Sequence, residues 1–314
     1  MTRFPPCILG TAVVPWTESF ALDEALFRHE IASLLAAGHK HLYVFGTAGE
    51  GYAVDDQQFE RVARVFVDEM HSGGAEPMVG VISLSQSTIQ RRIAFARDTL
   101  GVRLFQVSLP SWGALEEAEV RAFFNTVLEQ FEDCQFLHYN LVRAKRLVSA
   151  TEYAAIASDH PNLVATKNTA DSMQRIRELL TTASELRHFL GERGFAYASL
   201  FGEPGLLISQ AVINLEMGQR YFAAGPARDV STLLRMEGDL HSIGQQFITT
   251  VSDGRTPIDG AYDKVLWWLN DRRFPLRLLP PYQGASLPAA ERFAAFLEEN
   301  YPHWSPSLAG IRAR

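Results

Sequence analysis

Asn162-Leu163-Val164-Ala165-Thr166-Lys167-Asn168-Thr169-Ala170-Asp171 is the stretch on which the reading of this chain turns. It has the form of a short buried strand that delivers one lysine, Lys167, at its C-terminal end. Burial disfavours the ammonium and lowers its pKa, so a lysine in that position is costly unless it is paired or used. Lowered in this way, the amine becomes a nucleophile able to form a Schiff base with a ketone. Taken alone, the stretch favours a structural lysine whose charge sits on a carboxylate or at the surface. The rest of the chain reverses that preference.

Outward from this strand, apolar runs alternate with longer segments of helical periodicity. Strands are expected over 8–14, 41–45, 77–82, 103–109, 134–139, 163–167, 186–190 and 206–209. Helices are expected between them over 23–37, 55–70, 87–100, 115–131, 151–158, 172–182 and 196–201. Ser87, Thr151 and Asp55 stand as N-terminal caps or first-turn acids, and Gly38 and Gly101 as helix stops. Eight such strands in unbroken alternation favour a (β/α)8 TIM barrel over an open doubly wound sheet. After Gly218 the pattern is helical only, over 219–241, 258–269 and 287–299. The chain therefore divides into a barrel core, 1–218, and a segment 219–314 that holds the final barrel helix and a C-terminal helical extension packed on the barrel.

Composition narrows the function. Apolar residues make up 47% of the 314 and charged residues 21%, enough for one large core and against disorder. A net charge of −7 gives no basic footprint for nucleic acid. Cys7 and Cys134 are the only cysteines, so a disulfide framework is implausible and a reducing compartment is expected. With no apolar run approaching a membrane span and no signal peptide after Met1, the expectation is a cytoplasmic protein.

In such barrels catalytic groups come from the C-terminal ends of strands. That rule gathers Thr47, Gly49 and Glu50 after strand two, Trp112 after strand four and Tyr139 with Asn140 at strand five. Lys167, Gly191 with Glu192, and Ser209 close strands six, seven and eight. Gly46-Thr47-Ala48-Gly49-Glu50-Gly51 lacks the Gly-Lys-Ser/Thr of a phosphate loop. Its glycines and the Thr47 hydroxyl suit a carboxylate, although an ordinary tight turn has the same composition. Tyr139, if it faces the barrel interior, needs a polar partner there, as any core tyrosine would. His138 falls on the opposite face and reads as packed under the helix layer. His39 and His41 lie at the opposite end of the barrel with no third ligand nearby in sequence, so no metal is assigned; Cys134, at that same end, reads as an inert thiol.

Gly46-Thr47-Ala48-Gly49-Glu50, then Tyr139-Asn140, Lys167 and Gly191, in this order on these strand ends, resemble the dihydrodipicolinate synthase / N-acetylneuraminate lyase family. The resemblance runs from Val14-Pro15 to the helical tail. It implies that Lys167 forms a Schiff base with pyruvate or another 2-oxo acid and that Tyr139 shuttles protons. It further implies that Thr47 and the amide of Ala48 hold the keto-acid carboxylate, and that Gly191 and Ile208 line the pocket around the imine. Glu192 falls where family members read the substrate's tail. An iminium withdraws electrons from the adjacent C–C bond, so no metal or other cofactor is required. The partners implied are a 2-oxo acid and an aldehyde, and family members are commonly homo-oligomers, as dimers or tetramers.

Departures from the family pattern bear on the substrate. Dihydrodipicolinate synthases usually carry a second threonine where this chain has Ala48, a relay tyrosine where it has Trp112, and a carboxylate-binding arginine where it has Ala144. Together these argue against lysine biosynthesis. Trp112 resembles the tryptophan of hydratase-aldolases that release pyruvate from aromatic substrates, and offers a flat apolar wall. Arg143, Lys145 and Arg146 read as solvated loop charges, with binding of an acidic substrate as the alternative. The expectation is a class I lyase or aldolase. The alternatives are a dehydratase of a deoxy-keto sugar acid by the same imine chemistry, and a non-catalytic 2-oxo-acid-binding barrel.

Overall fold

The computed structural model describes residues 3–169 and 172–306. Eight parallel strands close into a barrel in chain order: β1 (Ile8–Thr11), β2 (His41–Val44), β3 (Met78–Gly80), β4 (Leu104–Val107), β5 (Gln135–Asn140), β6 (Leu163–Asn168), β7 (Arg187–Leu190) and β8 (Gly205–Leu207). Between them run α1 (Glu24–Ala36), α2 (Asp56–Ser72), α3 (Gln86–Leu100), α4 (Glu117–Gln130), α5 (Ala150–Asp159), α6 (Met173–Thr182) and α7 (Glu192–Ala198). The chain then continues through α8 (Leu215–Ala224), α9 (Val230–Ser252), α10 (Asp259–Asn270) and α11 (Leu287–Asn300). The (β/α)8 barrel expected from the alternation is the fold.

Strands buried on both faces need apolar residues throughout, which is why these segments read as continuous runs rather than alternating ones. Leu9, Tyr43, Met78, Leu137, Ala165, Phe189 and Leu207 form one inner cluster, and the larger cluster outside it packs the helices onto the sheet. Lys167 pairs in register with Tyr139 on one side and Phe189 on the other. His138, one residue out of phase, lies under the helices, edge-on to Phe124 and bonded through Nδ1 to the Tyr153 hydroxyl at 2.6 Å.

Four local expectations are corrected. The caps of α3 and α5 are Ser85 and Ser149, not Ser87 and Thr151. Ser149 accepts from the Glu152 amide while the Glu152 carboxylate accepts from the Ser149 amide, so two terminal donors are satisfied together. The helix placed at 219–241 is two, α8 and α9, because Asp229 starts a new one by accepting from the Thr232 amide. Helix α7 begins at Glu192 rather than 196, with Gly191 as its N-cap. Among the described residues no helix is long and apolar enough to cross a membrane.

Candidate active site

The site is built from the ends of β2, β5 and β6. Lys167 is 3% exposed, and its Nζ donates to the Tyr43 hydroxyl at 2.7 Å. The same nitrogen sits 3.8 Å from the centroid of the Tyr139 ring, over its face. The Tyr139 hydroxyl is turned to Thr47, with 3.2 Å between the two oxygens. The three residues singled out for chemistry thus meet at one end of the barrel, although Thr47 and Tyr139 lie far apart in sequence. Asn140 and Asn168 hold the strand ends in place, the Asn140 amide donating to Asn168 Oδ1 at 3.0 Å and to Val148 O at 3.0 Å.

Burial pushes the Lys167 ammonium down from the usual lysine range to about 7, against the opposing pull of Asp263 and Asp259. A substantial fraction is therefore neutral amine near pH 7, the form that attacks a carbonyl. Tyr139 is raised by burial to about 12, the Thr47 hydroxyl opposing, so its phenol stays protonated and can give a proton.

The turn after β2 is set by close packing. A Cβ at Gly51 would lie 2.4 Å from the Phe45 carbonyl oxygen, and one at Gly49 2.9 Å from the Phe45 amide nitrogen, so the backbone doubles back on itself only with glycine there. Glu50, in the left-handed region at φ 56°, turns its carboxylate inward and is fully buried. It accepts from the Trp16 indole at 2.8 Å, from Lys264 Nζ at 2.7 Å and from the Leu279 amide at 2.6 Å. Glu50 is therefore a clamp on the tail, tying α10 against the turn that carries Thr47.

That clamp brings in two residues the sequence reading did not single out. Asp259 and Asp263, one turn apart on α10, face the lysine closely enough to oppose its deprotonation. Asp263 is raised to about 7 by burial and then by Asp259, with Lys167 opposing, and borders a small cavity with Thr11, Ile208 and Ser209. Asp259 pairs with Arg143 at 2.7 Å, which links the loop after β5 to α10.

The remaining expected residues are placed as follows. Gly191 and Glu192 border a cavity of about 420 Å³ at the ends of β6 to β8, together with Asn168, Ser209, Glu237 and His241. The Glu192 carboxylate is already engaged by the amides of Ser209 at 2.7 Å and Ala211 at 3.1 Å, so it shapes the loop after β8. Ile208 is buried beside Asp263, and Ala48 is buried with its carbonyl facing Gly260 of α10. Trp112 is 82% exposed, and Lys145 donates to its carbonyl at 2.6 Å. Arg143 and Lys145 are exposed, as expected of loop charges, but each is bonded, Arg143 to Asp259 and Lys145 to the Trp112 carbonyl, while the half-buried Arg146 holds the Leu115 carbonyl and Glu152. Among the described residues no cluster of metal-ligating side chains is present.

Known proteins share this fold. The chain is 24% identical over 273 residues to a 4-hydroxy-tetrahydrodipicolinate synthase from Exiguobacterium sibiricum, covering 85% of this chain and 90% of that one. It superposes with TM-score 0.83 on YagE, an E. coli prophage protein of the dihydrodipicolinic acid synthase family in complex with pyruvate, at 17% identity, covering 94% of this chain and 98% of that one. A catalytic-lysine mutant of the sialic acid aldolase from Ruminococcus gnavus superposes with TM-score 0.82 at 14% identity, covering 95% and 97% of the two chains. Residues 6–207 match the family model described as the dihydrodipicolinate synthetase family, and the chain belongs to that family.

Proposed function

We propose that this protein is a class I lyase or aldolase that forms a Schiff base between Lys167 and a 2-oxo acid, with pyruvate first among them. The observation that carries this reading is an amine inside the barrel mouth, lowered by burial to about 7, with one phenol hydroxyl and one aromatic face rather than a carboxylate in contact among the described residues. Family membership supports a class I lyase or aldolase. The pyruvate in the E. coli structure and the catalytic lysine named for the Ruminococcus gnavus aldolase support the keto acid and the nucleophile.

The neutral amine attacks the keto carbon, water leaves, and the iminium draws electrons from the neighbouring C–C bond. Cleavage of that bond requires a proton to leave the hydroxyl of the aldehyde-forming carbon, and addition requires one to arrive. Tyr139, held by Thr47, is the group positioned for that transfer, at a site typically worth a factor of about 10²–10⁴. Thr47 and the Ala48 amide hold the carboxylate. With Ala144 and Trp112 at two positions where dihydrodipicolinate synthases have arginine and tyrosine, the aldehyde partner is a different one from theirs. Trp112 lies at the surface of the protomer. The 420 Å³ cavity borders Asn168, next to Lys167 in the chain, but is not lined by Lys167, Tyr139 or Thr47. If the aldehyde's tail extends into it, its mixed lining of Leu190 and Leu240 with Ser209, Glu237 and His241 favours a partly hydroxylated aldehyde over an aromatic one. A homo-oligomer in the cytoplasm completes the reading, with two free cysteines, both buried, in keeping with a reducing compartment.

Borohydride trapping with pyruvate, followed by peptide mass spectrometry, tests it. A reduced pyruvyl adduct on Lys167, absent from Lys167→Ala, is the expected result. No adduct with pyruvate or with longer 2-oxo acids, in folded protein, would overturn the imine and leave the non-catalytic binding barrel. Product analysis on an aldehyde panel then separates cleavage from dehydration.

A further inference from the structure

Tyr139 is turned the wrong way to serve the lysine nitrogen. It presents its ring face to Nζ, 3.8 Å from the centroid, and gives its hydroxyl to Thr47. The hydroxyl that does reach Nζ, at 2.7 Å, belongs to Tyr43 of β2. Tyr43 is 2% exposed and lies in the inner cluster with Leu9, Met78 and Leu137, its ring centroid 4.5 Å from Nζ. The turn makes room for it: a Cβ at Gly46 would fall 2.5 Å from Cε2 of the Tyr43 ring. Glycine at 46 is thus matched to a phenol at 43, which in turn is matched to Lys167.

We propose that Tyr43 is a second catalytic phenol, which passes protons between the Lys167 nitrogen and the departing carbonyl oxygen while the imine forms. The proposal rests on the Schiff-base reading above and divides its proton work between two tyrosines. When the amine attacks, the C–N bond forms and the carbonyl pair moves to oxygen, leaving an extra proton on nitrogen and a negative charge on oxygen. Tyr43 takes that proton as its own goes to the oxygen, and a neutral carbinolamine results. In the second half the nitrogen lone pair forms the C=N bond and the C–O bond breaks. The oxygen leaves as water with the Tyr43 proton, and the remaining N–H proton returns to the phenolate. Solvent then protonates the imine to the iminium, and Tyr43 ends as it began.

Such a shuttle needs a group that is neutral at both ends of the step. Burial, and then Tyr139, raise Tyr43 well above the ordinary tyrosine range, with the Thr11 hydroxyl opposing. Among the described residues, the charged or titratable groups facing Lys167 are Tyr43, Tyr139, and Asp259 and Asp263 of α10, with Arg143 on Asp259. The alternative is that Tyr43 merely satisfies a buried amine, and kinetics separates the two.

The experiment measures the rate of pyruvyl-adduct formation on the full chain by rapid mixing, borohydride quench and intact-mass analysis, across pH. Tyr43→Phe keeps the ring and removes the hydroxyl. A rate lowered by about a hundredfold at unchanged pyruvate saturation is expected, the usual size of a lost general acid–base group. In case that variant does not fold, fluorotyrosine placed at 43 keeps the hydroxyl and makes it more acidic. The expected result there is an alkaline limb of the rate profile moved to lower pH. Wild-type rate and profile in a folded variant overturn the shuttle while leaving the Schiff base intact. Absence of adduct in the wild type instead overturns the Schiff base itself.

Discussion

Two lysines are buried in this protein, and they have opposite surroundings. Lys264 of α10 meets a carboxylate: Glu50 at 2.7 Å, with the Arg277 carbonyl as a further acceptor. Lys167 meets two phenols, an acceptor hydroxyl and an aromatic face. Burial lowers both, Lys264 to about 8 and Lys167 to about 7. What separates them is what a protonated amine would be bonded to. The first has a charge partner in contact and ties two parts of the chain together. The second has, among the described residues, only neutral groups in contact, which suits the role proposed for it. Burial alone identifies neither.

The comparison is open to attack at several points. The largest effect is expected from Lys167→Ala, which removes the amine proposed to attack: adduct formation and turnover fall below detection, while the amine of Lys264, held by Glu50, does not substitute. An adduct mapped to Lys264 by peptide mass spectrometry would break the distinction outright. Next in size is Lys264→Met. It strands a fully buried Glu50 carboxylate, at a cost of about 3–5 kcal/mol, read as a lowered denaturation midpoint.

Lys167→Met is expected to act in the opposite direction. A lysine whose folded-state pKa lies below its unfolded value costs stability at low pH, and that cost fades as pH rises from about 7 toward about 10.5. Replacing it should therefore raise the melting temperature at pH 6, with the advantage shrinking by pH 10. A flat difference across that range would show that Lys167 is not depressed. The acid limb of adduct formation should likewise lie near pH 7. Because Asp263 opposes deprotonation of Lys167, Asp263→Asn should move that limb to lower pH. The smallest effect is expected from Arg143→Ala. Its pair with Asp259 is half exposed and contributes under about 1 kcal/mol, so stability should hardly change and adduct formation should persist.

The barrel was legible because its signal is local and repeated: each apolar run is one strand, and eight of them in alternation leave little choice. Lys167, Tyr139 and Thr47 were legible because the barrel rule puts strand ends at one mouth. Tyr43 was not singled out, since it stands within the apolar run of β2 and reads as core. Its inward position, next to a glycine-rich turn, was the available signal. Asp259 and Asp263 were missed for another reason. Their spacing of four placed them on one face of α10, but the local pattern of a tail helix does not say which face of the barrel it will cover. That is decided by Glu50 and Lys264, more than two hundred residues apart, and a pairing at such a distance leaves no periodicity to read. Glu192 shows the reverse: expected to read the substrate, it is occupied by the backbone of the loop after β8.

The clamp around Glu50 also limits how this chain can be recombined with its relatives. A chimera with its crossover after the barrel inherits Glu50 and Trp16 from one parent and the α10 residues from the other. Unless the donor tail supplies a cation where Lys264 stands, the hybrid carries an orphaned anion beneath its own mouth. Productive crossovers keep residues 16, 50 and 264 from a single parent or bring a matching cation at 264, so the tail and the turn after β2 behave as one unit although most of the sequence lies between them.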